Sequence, residues 1–152
     1  MRPTGEVNMQ LNETALHEAV NTTLDALVGS AGEAVDPTTP NWAMRALIEI
    51  SGDFDAVVSA TCDEHFARSL AAAMFGLELD ETSDDDVRDA FGEFTNIAGG
   101  MVKSLLPGTC RMSVPSVGDP TGVGEPSAVA LLCEAAVEHE GGHVGVRVLS
   151  PT

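Results

Sequence analysis

The stretch DDDVRDAFGEFTNIAGGMVKSLL, Asp84 to Leu106, limits what this chain can fold into more than any other part of it. Val87, Phe91, Phe94, Ala98, Met101, Val102 and Leu105 recur at the spacing of a helix that buries one stripe. At about 100° per residue, the ridge opposite that stripe is Asp89, Glu93, Asn96, Gly100 and Lys103. The fold must therefore offer this helix an apolar surface on one side and leave the other open. Gly92, Gly99 and Gly100 run against helix chemistry, each costing about 1 kcal/mol relative to alanine in a helix interior. Three such residues suit a helix whose backbone something must approach closely. Glu93 and Asn96, one turn apart on the outer ridge, stand where an approaching group would meet them, and they are the candidate functional pair.

The rest of the chain supplies the surface. Asn12 can cap a helix lined by Leu16, Val20, Leu24 and Leu27 that stops near Gly29. Residues 30 to 41 hold Gly, two Pro and two Thr and read as a loop or irregular edge segment. Two β-like runs, Ala46–Ile50 and Phe54–Thr61, flank Ser51-Gly52-Asp53 as a hairpin. Asp63 can cap a second helix, with Phe66, Leu70, Met74 and Phe75 apolar and Gly76 as its stop. An acidic linker, Glu78 to Asp86, leads into the long helix, which Pro107-Gly108 closes. Thr109–Pro115 reads as a strand, followed by the loop SVGDPTGVGEP. Alternation at Val129, Leu131, Cys133, Ala135 and Val137, then at Val144, Val146 and Val148, predicts two more strands. The pattern is that of one α+β domain over residues 1–152, with a mainly antiparallel sheet flanked by helices and a pseudo-repeat of helix plus hairpin.

Charge narrows the partners. With 24 acidic and 7 basic residues the formal charge is −17, and Lys103 is the single lysine. Such a surface repels phosphate backbones and anionic lipid, which argues against nucleic-acid and membrane partners. Cys62, Cys110 and Cys133 are odd in number and form no Cys-x-x-Cys pair, so a reducing compartment fits better than a disulfide framework. The opening MRPTGEVNMQ has no apolar run, and no stretch approaches the roughly 18 apolar residues of a spanning helix, so a cytoplasmic location is expected. His139-Glu-Gly-Gly-His143 fits the letters of a zinc-protease motif, but that chemistry needs a helix with both histidines on one face. Here the Gly-Gly pair predicts a hairpin turn that sets Glu140 across from His143, no third ligand follows, and no metal is expected. The Gly-rich loop 118–125 lacks the Gly-Lys-Ser/Thr ending of a phosphate-binding loop.

The segment Asp89-Ala-Phe-Gly-Glu93-Phe-Thr-Asn96-Ile-Ala-Gly-Gly100 resembles the signature of the CheX/CheC-type chemotaxis phosphatases, an Asp or Ser, then Glu four residues on, then Asn three further, then small residues. Ile48-Glu-Ile-Ser-Gly-Asp53 and Met112-Ser-Val-Pro-Ser-Val117 agree with it in the same order along the chain. The resemblance implies a CheC-like fold and a phosphatase that hydrolyses the aspartyl phosphate of a CheY-like receiver domain. On that reading Asn96 positions the attacking water and Glu93 pairs with the regulator's lysine. Asp89, Gly99, Gly100 and Lys103 then lie along the docking face. The chain would carry no cofactor of its own, magnesium coming from the partner. The resemblance also implies a homodimer joined through the sheet. Its alternative is a catalytically silent domain that docks a response regulator or a flagellar-type partner.

The sequence departs from the family pattern at two points. A proline is expected at a set distance after the Asn, where Pro115 and Pro120 both stand as candidates, and Ala56 replaces a common glycine. The CheC branch carries the Glu/Asn motif twice. Glu18-Ala-Val-Asn21 on the first helix has the same spacing, but Thr14 replaces the Asp/Ser and no glycines follow. The resemblance therefore implies one active copy, in the CheX-like arrangement.

Overall fold

A computed structural model of the chain describes residues 9–37, 42–127 and 129–151. Three helices, α1 (Glu13–Val28), α2 (Glu64–Phe75) and α3 (Asp84–Leu105), pack on a sheet of seven strands. The strands are β1 (Glu33–Val35), β2 (Met44–Gly52), β3 (Ala56–Cys62), β4 (Cys110–Met112), β5 (Ser116–Gly118), β6 (Val129–His139) and β7 (Gly142–Pro151). Their order is β1-β6-β7-β3-β2-β4, with β5 also on β2, and every pairing is antiparallel.

That order shows the pseudo-repeat. One half runs α1, a short β1 and the hairpin β2–β3; the other runs α3, the short β4 and β5, and the hairpin β6–β7. The innermost strands β3 and β7 pair with each other, and each half lends its short strand to the other's hairpin, β1 to β6 and β4 with β5 to β2. The helices follow suit, α1 lying on β6 and α3 on β2 and touching each other, while α2 packs against α3 and β7.

Local chemistry sets the helix ends. Asn12 Oδ1 accepts from the Ala15 amide at 2.8 Å and Asp63 Oδ1 from the Phe66 amide at 2.8 Å, while Gly29 and Gly76 close their helices in the left-handed conformation. One alternate set of strand residues, including Ile48, Val58, Ala60, Val137, Val144, Val146 and Val148, forms a single core with side chains from all three helices. At its centre Phe66 of α2 meets Phe91 and Phe94 of α3, with ring centroids 5.7–6.4 Å apart.

Several expectations need correction. Ser51 and Gly52 belong to β2, so the turn of the first hairpin falls on residues 53–55. Residues 109–115 are not one strand: only Cys110–Met112 pairs, Pro115 interrupts the ladder, and Ser116–Gly118, expected in the loop, pairs again as β5. A bulge between Leu131 and Cys133 shifts the parity of β6, so Leu132 and Cys133 both pack on the core and Leu131 faces solvent. Phe75 at the end of α2 is exposed rather than buried. The segment read as an irregular edge does carry the edge strand β1, and its residues 38–41 lie outside the described ones.

The second hairpin turns on Glu140-Gly141, with φ of 50° and 84°, one residue earlier than the Gly-Gly pair suggested. Glu138, not Glu140, therefore stands across from His143. Their register puts His139 and His143 on opposite faces of the hairpin. His139 shares a hydrogen bond with Ser30 Oγ at 2.8 Å, and His143 Nδ1 lies 2.9 Å from Asp63 Oδ2. A zinc-protease arrangement is incompatible with that geometry. No group of three His, Cys, Asp or Glu side chains among the described residues is placed to hold a metal. Cys62 is buried, Cys110 and Cys133 are half-buried, and all three are free. Among the described residues no helix is long and apolar enough to cross a membrane.

Candidate functional site

The candidate site is built on α3, and the start of that helix is fixed at several points. Ser83 Oγ accepts from the Asp86 amide and Asp86 Oδ2 accepts from the Ser83 amide, each at 3.0 Å, a reciprocal capping box. Arg68 of α2 donates to the Thr82 carbonyl and hydroxyl at 3.0 Å and pairs with Asp84 at 3.4 Å. Further along, Val87, Phe91, Phe94, Ala98 and Val102 are buried as their spacing predicted, with Met101 and Leu105 half-buried. The helix is held from its capped end through its apolar stripe, so its outer face is a rigid platform.

Glu93 and Asn96 are both exposed on that platform. They line an open groove of about 440 Å³ together with Arg88, Asp89, Gly92, Val114, Pro115 and Val117. The wall opposite the helix is the break between β4 and β5. There the Ser113 amide donates to the Glu49 carbonyl and the Glu49 amide donates to Ser113 Oγ, both at 2.9 Å. This double tie holds the next two residues out from the sheet, so Val114 is 82% exposed at the rim. Pro115 is thus the proline beside the motif, whereas the Pro120 carbonyl accepts from Arg45 in the following loop.

Glu93, Asn96 and Asp89 therefore share one groove. Gly100 and Lys103 are half-buried further along the same helix, outside the groove lining. Gly99 does not belong with them. It is buried facing the sheet, where a Cβ would stand 2.8 Å from Ile48 Cδ1, so its lack of a side chain serves helix-to-sheet packing rather than partner approach. Arg88, Val114 and Val117 line the groove without having been marked as site residues, although both valines lie in the Met112–Val117 stretch that carried part of the resemblance. Arg88 could have been found two turns before Asn96 on a chain with few cations, whereas the exposure of Val114 depends on a β2–β4 register that no local pattern carries.

The α1 copy of the motif faces a comparable groove lined by Thr14, His17, Glu18, Asn21, Thr22 and Asp25. Its amide is already engaged, because Asn21 Oδ1 accepts from the Gly32 amide at 3.0 Å and pins the lead-in to β1. Near the first groove, the Asp119 carboxyl is held below the usual aspartate range, chiefly by the Thr121 hydroxyl and then by the Gly122 and Thr121 amides.

Residues 44–133 match the family model described as chemotaxis phosphatase CheX. Among curated proteins no sequence matches the chain. Among solved structures, the chain is similar to the chemotaxis protein CheX from Vibrio vulnificus, at 20% identity and a TM-score of 0.71 over 89% of this chain and 93% of that one. A CheX–CheY–BeF3–Mg2+ complex from Borrelia burgdorferi is similar at 14% identity and a TM-score of 0.71, covering 91% and 97%. A CheC-like superfamily protein from a Shewanella species is similar at 16% identity and a TM-score of 0.64, covering 89% and 95%. The α+β fold with its mainly antiparallel sheet is that of CheX- and CheC-like proteins.

Proposed function

This chain belongs to the chemotaxis phosphatase CheX family, and we propose that it hydrolyses the aspartyl phosphate of a CheY-like response regulator. The observation that carries this reading is the shared exposure of Glu93 and Asn96 on one groove of a rigidly mounted helix. Asn96 enters the regulator's active site and holds a water in line with phosphorus. The water oxygen bonds to phosphorus as the bond from phosphorus to the aspartyl oxygen breaks, leaving a free carboxylate and inorganic phosphate. Glu93 pairs with the regulator's lysine and fixes the register of the helix on its partner. Asp89 supports that contact from the preceding turn, and Gly100 and Lys103 extend the docking face. Magnesium belongs to the regulator, and the Borrelia complex, which holds both CheY and Mg2+, supports that part of the reading.

The test is the loss of phosphate from an acyl-phosphorylated receiver domain with and without the chain. Hydrolysis accelerated in proportion to added chain is expected. Saturable binding with an unchanged rate would instead establish the second reading, a silent domain that docks a response regulator or flagellar-type partner. The same proposal includes a homodimer joined at a sheet edge. Among the described residues β1 covers only Ala136–Glu138 of β6, so the strand's first half is the open edge in the C-terminal region. Light scattering at dimer mass is expected, and monomer mass would remove this element.

A further inference from the structure

The three glycines of α3 are not equivalent. A Cβ at Gly99 would crowd the Ile48 side chain of the sheet beneath it, whereas one at Gly92 would meet only Val117 Cγ2, at an ordinary 3.5 Å. Gly92 is an α-helical residue, so neither its backbone nor its packing calls for glycine. It lies on the floor of the groove, one turn from Arg88 on one side and one turn from Asn96 on the other. Along this i, i+4, i+8 row the helix backbone is bare between the two side chains.

Arg88 is the one cation among the residues lining the groove. The salt bridges of arginines among the described residues involve Arg68 and Arg147, while Arg45 donates to backbone carbonyls; Arg88 is exposed, and its charge acts on the Asp119 carboxyl only as the smallest of the influences on that group. On a chain of formal charge −17 Arg88 is an isolated positive charge, sharing the groove with the Asp89 and Glu93 carboxylates. Eight residues of helix separate Arg88 from Asn96 by about 12 Å along the axis, and helix side chains lean toward the N-terminus, which carries the guanidinium further away. A phosphoryl group held at Asn96 is therefore beyond Arg88's reach.

We propose that the partner's chain lies directly on the α3 backbone at Gly92, and that Arg88 pairs with a partner carboxylate beyond that crossing. The occupant is the receiver domain of the proposed function, so this inference rests on that reading. It adds a steric requirement at Gly92 and a specificity contact at Arg88. A methyl group at position 92 raises the groove floor, and a misplacement of about 1 Å at a reacting site can lower the rate about 100-fold.

The test uses the full chain with a phosphorylated receiver, in parallel with Asn96→Ala. Gly92→Ala is expected to melt about 1–4 °C higher, since alanine is the better helix former, while kcat/KM for dephosphorylation falls at least about tenfold. Arg88→Gln is expected to raise KM several-fold with kcat preserved. It should weaken binding of the beryllofluoride-loaded and unloaded receiver by the same factor, more at low salt than at high. An effect confined to the loaded receiver would place the anion on the phosphoryl group and overturn the carboxylate assignment. If Asn96→Ala abolishes the activity but Gly92→Ala keeps it at the wild-type rate, the crossing at Gly92 is wrong and the phosphatase reading stands. If Asn96→Ala is fully active, the underlying reading fails first.

Discussion

Adjacent alanine substitutions at Gly99 and Gly100 should differ in their effect on stability, Gly100→Ala being the more stable. Both positions lie inside α3, so alanine gains up to about 1 kcal/mol of helix propensity at either one. At Gly100 nothing stands within 4 Å of the new methyl, and that gain is kept. At Gly99 the methyl lands 2.8 Å from Ile48 Cδ1 and 3.7 Å from Met112 Sδ. Carbon atoms settle at about 3.5–4.0 Å, so the Ile48 side chain must recede by roughly 1 Å. Ile48 is completely buried in the core, and overpacking of this kind costs about 1–3 kcal/mol. The net effect at Gly99 is thus near zero to about 2 kcal/mol destabilising. The two variants should differ by the overpacking cost, roughly 2–12 °C in Tm for a domain of this size. Thermal or urea melts of the two proteins measure it. A Gly99→Ala protein as stable as Gly100→Ala would refute the claim that Gly99 exists for the sheet.

Two further outcomes follow from buried and capped polar groups. Ser59 lies on the central strand β3 with its hydroxyl buried and without a hydrogen-bond partner among the described residues, so Ser59→Ala should raise stability by up to about 1–2 kcal/mol in urea unfolding; a loss of more than about 1 kcal/mol would mean the hydroxyl is satisfied. The Asp119 carboxyl has a lowered folded-state pKa, so its contribution to stability is present above the usual aspartate range and is lost as pH falls through the lowered value. Its NMR titration midpoint should lie below that of an unstructured aspartate and rise in Thr121→Ala, whose hydroxyl is the main cause; a midpoint unmoved by that substitution would contradict the assignment.

Local chemistry was legible wherever a residue acts on its own neighbours. Asn12, Asp63, Gly29 and Gly76 marked helix ends because capping is decided within a few residues. The 3.6-residue period of α3 put Glu93 and Asn96 outside because one buried stripe settles where the rest of a helix points. What local pattern could not carry was long-range pairing. The split of residues 109–115 into β4 and β5 follows from pairing with the distant β2, and the β6 bulge and the turn at Glu140-Gly141 from the register of the β6–β7 hairpin inside the sheet. Gly99 shows the limit most clearly. Its sequence neighbours make it look like Gly100, and only Ile48, far away along the chain, separates the two roles.

The central claim is that Asn96 acts in the chemical step rather than in docking. Single-turnover phosphate release from an acyl-phosphorylated receiver, measured at saturating concentrations of wild type and Asn96→Ala, tests it most directly. We expect Asn96→Ala to bind the receiver with near-wild-type affinity while phosphate release falls to the receiver's own rate. Release at the wild-type rate from the saturated Asn96→Ala complex would contradict the claim.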